Sequence, residues 1–215
     1  MLCPKPSDLA DMTDQIAHLR IELAHIEPVI WRRVAVGLTT NLRALHELIQ
    51  AVMPWENDHL YQFTVAGRVY GEPADDDELW GHKVYQAKGM RLGTLIDRGV
   101  MEFLYTYDFG DDWQHRVIVE NVEPADPSLD YPVFLGGERA APPEDVGGPP
   151  GFMDFLEAIS KRSHPQHKDM VRWHGGPFHP TEFGEAEITE RVRKIAAKRK
   201  TAIKAFQRSR AKRPH

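Results

Sequence analysis

Cysteine is almost missing from this chain: Cys3 is the only one among 215 residues. A single thiol cannot close a disulfide within the chain, so the fold is expected to rest on its core and not on an oxidising compartment. Long apolar runs are missing too, and no stretch approaches the roughly 18 apolar residues of a membrane span. The first residues carry Asp8, Asp11 and Asp14 and two prolines, where a secretory signal would carry a basic start and an apolar run. The expectation is a soluble cytoplasmic protein with a flexible segment over 1–15. Acid is missing from the last stretch. Of the 27 Lys and Arg, eleven lie in 191–215 beside no Asp or Glu, which leaves 16 against all 32 acids in 1–190, a net of −16. An acidic body repels a phosphate backbone, so the basic stretch reads first as a solvated tail folding back on the body and second as a nucleic-acid arm.

What is present is periodic. Leu19, Ile21 and Leu23, then Val34 and Val36, alternate as two strands over 18–36, with Glu27-Pro28 marking the connection. Leu42, Leu45, Leu48, Ile49 and Val52 recur at helical spacing, with Thr40 as the expected N-cap and Pro54 as the stop. Tyr61, Phe63 and Val65 alternate up to Ala66-Gly67, and Val69 leads away, so 60–71 reads as a second hairpin. Asp75 to Glu78 lacks the alternating ligand spacing of a calcium loop and reads as solvated. Leu92, Leu95 and Ile96 suffice for a helical turn, and Phe103, Tyr105, Tyr107 and Phe109 form the aromatic face of a strand. After Gly110-Asp111-Asp112, Val117 and Val119 mark a returning strand. The order strand, strand, helix, strand, strand, short helix, strand is that of a β-grasp, here with one strand added at the end. The predicted fold class is therefore α+β: a β-grasp-like mixed sheet with a packed helix, a helical C-terminal elaboration and a basic tail.

Residues 123–150 are rich in Pro and Gly and read as an ordered loop in which Tyr131, Phe134 and Leu135 need burial. Phe152, Phe155, Leu156 and Ile159 predict an amphipathic helix with Pro149-Pro150 near its start. Ser163-His164-Pro165 opens another short helix that Gly175 caps. Ile188, Val192, Ile195, Ile203 and Phe206 lie along a final basic helix whose end frays.

Several longer runs stand out. They are Pro28-Val29-Ile30-Trp31-Arg32-Arg33, Leu45-His46 with Ile49-Gln50, and Asp58-His59-Leu60 with Phe63. Further on come Tyr107-Asp108-Phe109-Gly110-Asp111 with Trp113 and His115, the stretch from Pro142 to Phe152, and Gly175-Gly176-Pro177-Phe178. In this order and spacing the chain resembles the plasmid pRiA-type ORF-three family over roughly 16–190, expected as one α+β domain. The resemblance implies a mixed α+β fold and a gene associated with plasmids or mobile elements. Relatives are labelled TnpR-like passenger proteins of insertion elements. It implies no recombinase chemistry, since the chain has no serine-recombinase site. Where many relatives carry cysteine before Pro142 this chain has Ala141, which argues against a thiol-dependent role there.

The candidate functional cluster is His59, Asp108, Asp111, His115, Glu144 and Asp145, with Asp112 beside it. Carboxylates and imidazoles brought together hold a divalent cation or act as general acid and base. The same Asp-Gly turns use carboxylates to bind backbone N–H groups, and the Pro-Glu-Asp run suits a helix N-terminus. Arg32 and Arg33 are candidate anion contacts, although neighbours on a strand point to opposite faces and an arginine stacked on an aromatic ring is favoured there. His164 and His167 read as exposed, while His174 and His179 bracket a Gly-Gly-Pro loop. No His-Glu-x-x-His, Cys-x-x-Cys, phosphate loop or Gly-x-Ser-x-Gly is present. No cofactor is evident, and a divalent cation is the one candidate.

Three functions compete. A non-enzymatic binding or accessory module with a protein partner is favoured by the missing catalytic signature and the acidic body. A divalent-metal-dependent hydrolase or nuclease-like enzyme requires the carboxylates to converge on one pocket. Nucleic-acid binding through 191–215 requires steep salt dependence.

Overall fold

The computed structural model describes residues 14–73 and 83–211. The acidic run Asp75 to Glu78 and most of the 1–15 segment lie outside the described residues. In chain order the elements are β1 (Gln15–Leu23), β2 (Trp31–Gly37), α1 (Leu42–Val52), β3 (Tyr61–Val65), β4 (Arg68–Gly71) and β5 (Val84–Gln86). A 3-10 turn at Ala87–Gly89 leads to α2 (Leu92–Ile96), β6 (Glu102–Tyr107), β7 (Trp113–Pro124) and β8 (Val133–Glu138). Three helices follow: α3 (Gly148–Ser160), α4 (His167–His174) and α5 (Glu185–Ala211). None of the described helices is long and apolar enough to cross a membrane.

The fold is α+β, and the eight described strands form one mixed sheet in the order β5-β4-β3-β6-β7-β1-β2-β8, antiparallel except for the parallel β4–β5 pair. The strand added after the β-grasp order does not lie at the end of the sheet. β7 pairs with β1 on one side and β6 on the other, so β1 and β6 run in the same direction without touching. The 123–150 stretch is also more than a loop, because it contains β8, which pairs with β2 across a register shift. Its glycines hid the strand from periodicity. Gly137 must be glycine, since a Cβ there would lie 2.9 Å from the Trp31 carbonyl oxygen and 2.7 Å from Arg32 Cδ. Phe134 packs against the core, but Leu135 stays 43% exposed, because successive strand residues face opposite ways.

One sheet face is apolar. Leu19, Ile21, Leu23, Val34, Val36, Phe63, Tyr105, Val117 and Val119 from five strands are buried with Leu42, Leu45, Ile49 and Val52 of α1. Each such side chain contributes roughly 1.5–3 kcal/mol. The N-cap of α1 is Asn41, not Thr40: Asn41 Oδ1 accepts the Ala44 N–H at 2.9 Å. Thr40 stands one residue too early, and its hydroxyl accepts from Arg199 Nη1 at 2.5 Å while Thr39 Oγ1 accepts from Nη2 at 2.7 Å. These bonds, with buried Ile188, Val192 and Ala196, hold α5 against the body. Its neighbours are β8 and α1.

The opposite sheet face carries charge pairs. Arg33 grips Glu120 at 2.7 and 2.8 Å, and Arg116 grips Glu102 at 2.9 and 3.0 Å. Trp31 lies under the guanidinium groups of Arg20 and Arg33, at 4.3 and 5.5 Å. Two smaller expectations change. The aromatic strand stops at Tyr107, leaving Phe109 in the turn and 53% exposed. The short helix starts at His167, after the Ser163–Pro165 turn, and ends on Gly175 with φ 83°.

Candidate functional site

The site is built where β6 ends. Asp108 adopts the left-handed backbone (φ 55°) that closes the strand, a conformation short polar side chains tolerate. Its N–H stays bonded to Leu60 O at 2.9 Å, which keeps the end of β6 beside His59. Its Oδ1 accepts from Gly110 N at 2.9 Å and more weakly from Asp111 N at 3.4 Å. This is the turn role foreseen for the carboxylate, and it uses only one oxygen. The other, Oδ2, lies 3.7 Å from His59 Nε2.

A strap from the Pro-Glu-Asp run completes the cluster. Pro142 O accepts the buried Trp55 indole N–H at 2.9 Å. The Glu144 carboxylate accepts from the Tyr107 hydroxyl on one oxygen and from Glu56 N, at 2.5 Å, on the other. Asp111 Oδ2 accepts the Gly147 N–H at 3.1 Å. Gly148, at φ 67°, brings the strap so close that a Cβ would stand 2.5 Å from Asp111 O. Pinned on both sides, the strap turns at Asp145 (φ 58°) and places Asp145 Oδ1 3.0 Å from His59 Nε2. One ligand atom each from His59, Asp108 and Asp145 lies within 4.8 Å of the others.

Beside His59 opens a cleft of about 460 Å³. Its wall is Tyr61, stacked on His46 with ring centroids 3.6 Å apart and planes within 6°. Leu60 and Phe109 line it with exposed apolar side chains. Behind the wall runs a buried polar chain. Asn57 Oδ1 accepts from His46 Nε2 at 2.6 Å, His46 Nδ1 accepts from the Tyr105 hydroxyl at 2.7 Å, and Tyr105 accepts from Gln50 Nε2 at 3.0 Å. Burial keeps His46 neutral, lowering its pKa to about 4, and holds the Tyr105 hydroxyl protonated. Tyr107 is also held protonated, by burial first and Glu144 second. Its oxygen accepts from Asp58 N at 3.1 Å and His59 N at 3.4 Å. Tyr107 therefore ties the residues before β3 to the strap.

The six candidates thus fall into three places. His59, Asp108 and Asp145 meet at the cleft mouth. Asp111 and Glu144 hold the strap. His115 lies fully buried, its Nδ1–H donating to Trp113 O at 3.1 Å, its Nε2 without a partner among the described residues, and its pKa lowered by burial to about 4. Arg32 is equally buried and donates to the carbonyls of Val52, Trp31 and Glu138 at 2.9, 2.8 and 3.0 Å, while Arg33 is engaged by Glu120 on the other face. His174 bonds Gly176 O at 3.0 Å and packs on Phe155 and Phe178, His167 bonds Ala158 O at 3.0 Å, and His179 is exposed. Tyr107, Trp55 and Asn57 were missed. Tyr107 read as plain aromatic core, and Trp55 to Asn57 follow Pro54 in a run with no period, so the one available signal was a polar stretch directly after a helix stop.

The matching family model, described as plasmid pRiA4b ORF-3-like protein, covers residues 15–187. The chain belongs to the plasmid pRiA4b ORF-3-like family. The match takes in β1 through the start of α5, with the whole strap and cleft. An uncharacterized protein of Sinorhizobium fredii (strain NBRC 101917 / NGR234), y4hQ, is 36% identical over 189 residues, 87% of this chain and 95% of that protein. A crystal structure of a protein of unknown function from Methanosarcina mazei Go1, MM3350, is similar with a TM-score of 0.74 and 36% identity, covering 81% of this chain and 96% of that one.

Proposed function

We propose that this family member is a binding module whose site is the cleft beside His59, with a divalent cation held at its mouth by His59, Asp108 and Asp145. The convergence of these three ligands carries the proposal. One imidazole and two carboxylates suit Zn²⁺, Mn²⁺ or Fe²⁺, and three protein ligands leave coordination positions open for a ligand of the cleft. The neighbouring groups support binding over hydrolysis. Glu144 uses both oxygens on Tyr107 and Glu56, and His115 is sealed in the core, so neither is free to act as a general base. The family's plasmid association supports an accessory gene of mobile DNA working in the cytoplasm. The sheet supports a β-grasp-like frame with β7 interposed between its first and last strands. A protein partner remains the favoured macromolecule. On α5, Arg191, Lys194 and Lys200 pair with Glu187, Glu190 and Asp130, so part of the basic charge offered to nucleic acid is already matched.

Titration of the full chain with Mn²⁺ and Zn²⁺ by calorimetry, with thermal melting alongside, tests the cation. Saturable binding near one equivalent that raises Tm and falls at least about tenfold in Asp145→Asn is expected. Asp145 is exposed, so its replacement leaves the apo stability within about 0.5 kcal/mol. No saturable binding, or binding unchanged in both Asp145→Asn and His59→Ala, would reject the site. Metal-dependent cleavage of a model phosphodiester, lost in the same variants, would instead establish the hydrolase.

A further inference from the structure

The cleft has two chemically different ends. At one, Asp108 and Asp145 with a bound divalent cation are neutral together, and the cation attracts an oxyanion. Asn57 stands beside it on the cleft wall; its Oδ1 is taken by His46, and its amide N–H₂ donates to none of the described residues. That amide is available as a donor to a ligand of the cleft. At the other end stand Arg43, Glu47 and Glu72. The Arg43 guanidinium lies 3.9 Å from Glu47 and 3.7 Å from Glu72, and the Tyr61 hydroxyl donates to Glu72 at 3.1 Å. One guanidinium between two carboxylates leaves one negative charge unmatched. All three side chains are about half exposed, so an incoming cation reaches them without prior burial. Leu60, Tyr61 and Phe109 add apolar and aromatic surface to the same lining.

We infer that the cleft takes a small zwitterionic ligand, with an oxyanion on the cation beside His59, an amine against Glu47 and Glu72, and an apolar spacer along Tyr61. This deepens the cation-site reading and rests on it. The strand register sets the scale. Glu72 follows Gly71, the partner of Gln62, and accepts from the Tyr61 hydroxyl, and Tyr61 is two residues from His59, a separation of at most about 7 Å for extended chain. The net charge argues the same way. The chain as a whole, the basic α5 included, keeps a formal net charge of −5, which disfavours a ligand that is only an anion, and a zwitterion avoids that cost.

The test uses the full chain saturated with Mn²⁺, so that cation binding is established before any organic probe is added. Glycine, γ-aminobutyrate and ε-aminohexanoate are titrated by calorimetry, with hexanoate and hexylamine as single-charge controls. ε-Aminohexanoate is expected to bind best in the series and at least tenfold more tightly than either control, and only with Mn²⁺ present. A Glu47→Gln, Glu72→Gln double variant should bind it no better than hexanoate while its Mn²⁺ titration stays unchanged. Both side chains are exposed, so the fold tolerates the change. Hexanoate binding as tightly as ε-aminohexanoate, or no probe binding to the Mn²⁺-loaded protein, would overturn the zwitterion proposal and leave the cation site standing. Failure of Mn²⁺ itself to bind would overturn the cation reading, and this proposal with it.

Discussion

His46, on α1, and His115, on β7, sit in a polar layer between that helix and the sheet, 3% and 0% exposed, while the His59 side chain, at the cleft mouth, is 31% exposed. The buried layer also holds Arg32, Gln50 and Tyr105 and is bonded through carbonyls, an amide and a phenol, with Arg32 Nη2, Gln50 Oε1 and His115 Nε2 left without a partner among the described residues. No carboxylate bonds Arg32 there: its three contacts are backbone carbonyls. The mouth has two carboxylates against one imidazole and an open side. Identical residue types thus do different work. In the interior, desolvation removes charge from the imidazoles and the layer specifies packing. At the rim, two carboxylates face one imidazole beside an open cleft, a donor set available to a cation.

Acid is the strongest way to break this contrast. The two buried imidazoles titrate near 4 when folded against about 6.5 when unfolded. Above about 6.5 both states are neutral and stability is complete. As pH falls below that, the unfolded chain takes up protons that the folded chain refuses, so stability drops until about 4. Between pH 7 and 5 the loss is roughly 2 kcal/mol per ring, about 4 kcal/mol in all, measurable by urea denaturation. A flat profile over this range would show that the layer is open to water.

The strap supplies the next test. Gly148→Ala drives a Cβ toward Asp111 O and strains a positive φ, so the loss should be about 3 kcal/mol, with the cation titration lost as Asp145 moves. Gly89→Ala, which meets nothing within 4 Å, should change stability by less than about 0.5 kcal/mol. Equal effects would deny the strap its special position. Tyr107→Phe removes the hydroxyl shared by Glu144 and two N–H groups and should cost about 2 kcal/mol, while weakening cation binding through Asp145. The smallest effect separates the two arginines of β2. Arg33→Ala breaks an exposed pair and should cost less than about 1 kcal/mol. A larger loss would mean that the charged sheet face is buried by something in solution.

Much of the frame was readable in advance because it obeys local periods. The stripe of α1, the alternation in β1, β2, β3 and β6, and the Gly175 cap follow from side-chain spacing alone. The opposite facing of Arg32 and Arg33 is likewise a property of any strand. β8 was not readable, because Gly136 and Gly137 erase its alternation and the close approach of Arg32 that requires Gly137 is set by another strand. β5, three residues long and paired only with β4, is too short to carry a period. At the site, His59, Asp108 and Asp145 could be nominated by residue type. Tyr107 and Trp55 could not, since each acts through a partner far away in the chain, and Asn57 could not, since it bonds His46 from an aperiodic run after the helix stop.

By itself the sequence determined the element types, the acidic body, the family membership and a short set of residues able to hold a cation. Those depend on neighbours within a turn or a strand, or on composition. The tertiary structure decided which of the candidates meet. His59 and Asp145 are separated by most of the sheet in sequence, and they touch because Glu144, Asp111 and Gly148 pin the strap against the end of β6. It also decided that His115 is core and His59 is rim, since burial is settled by what packs over a side chain, and no local pattern around either histidine records that.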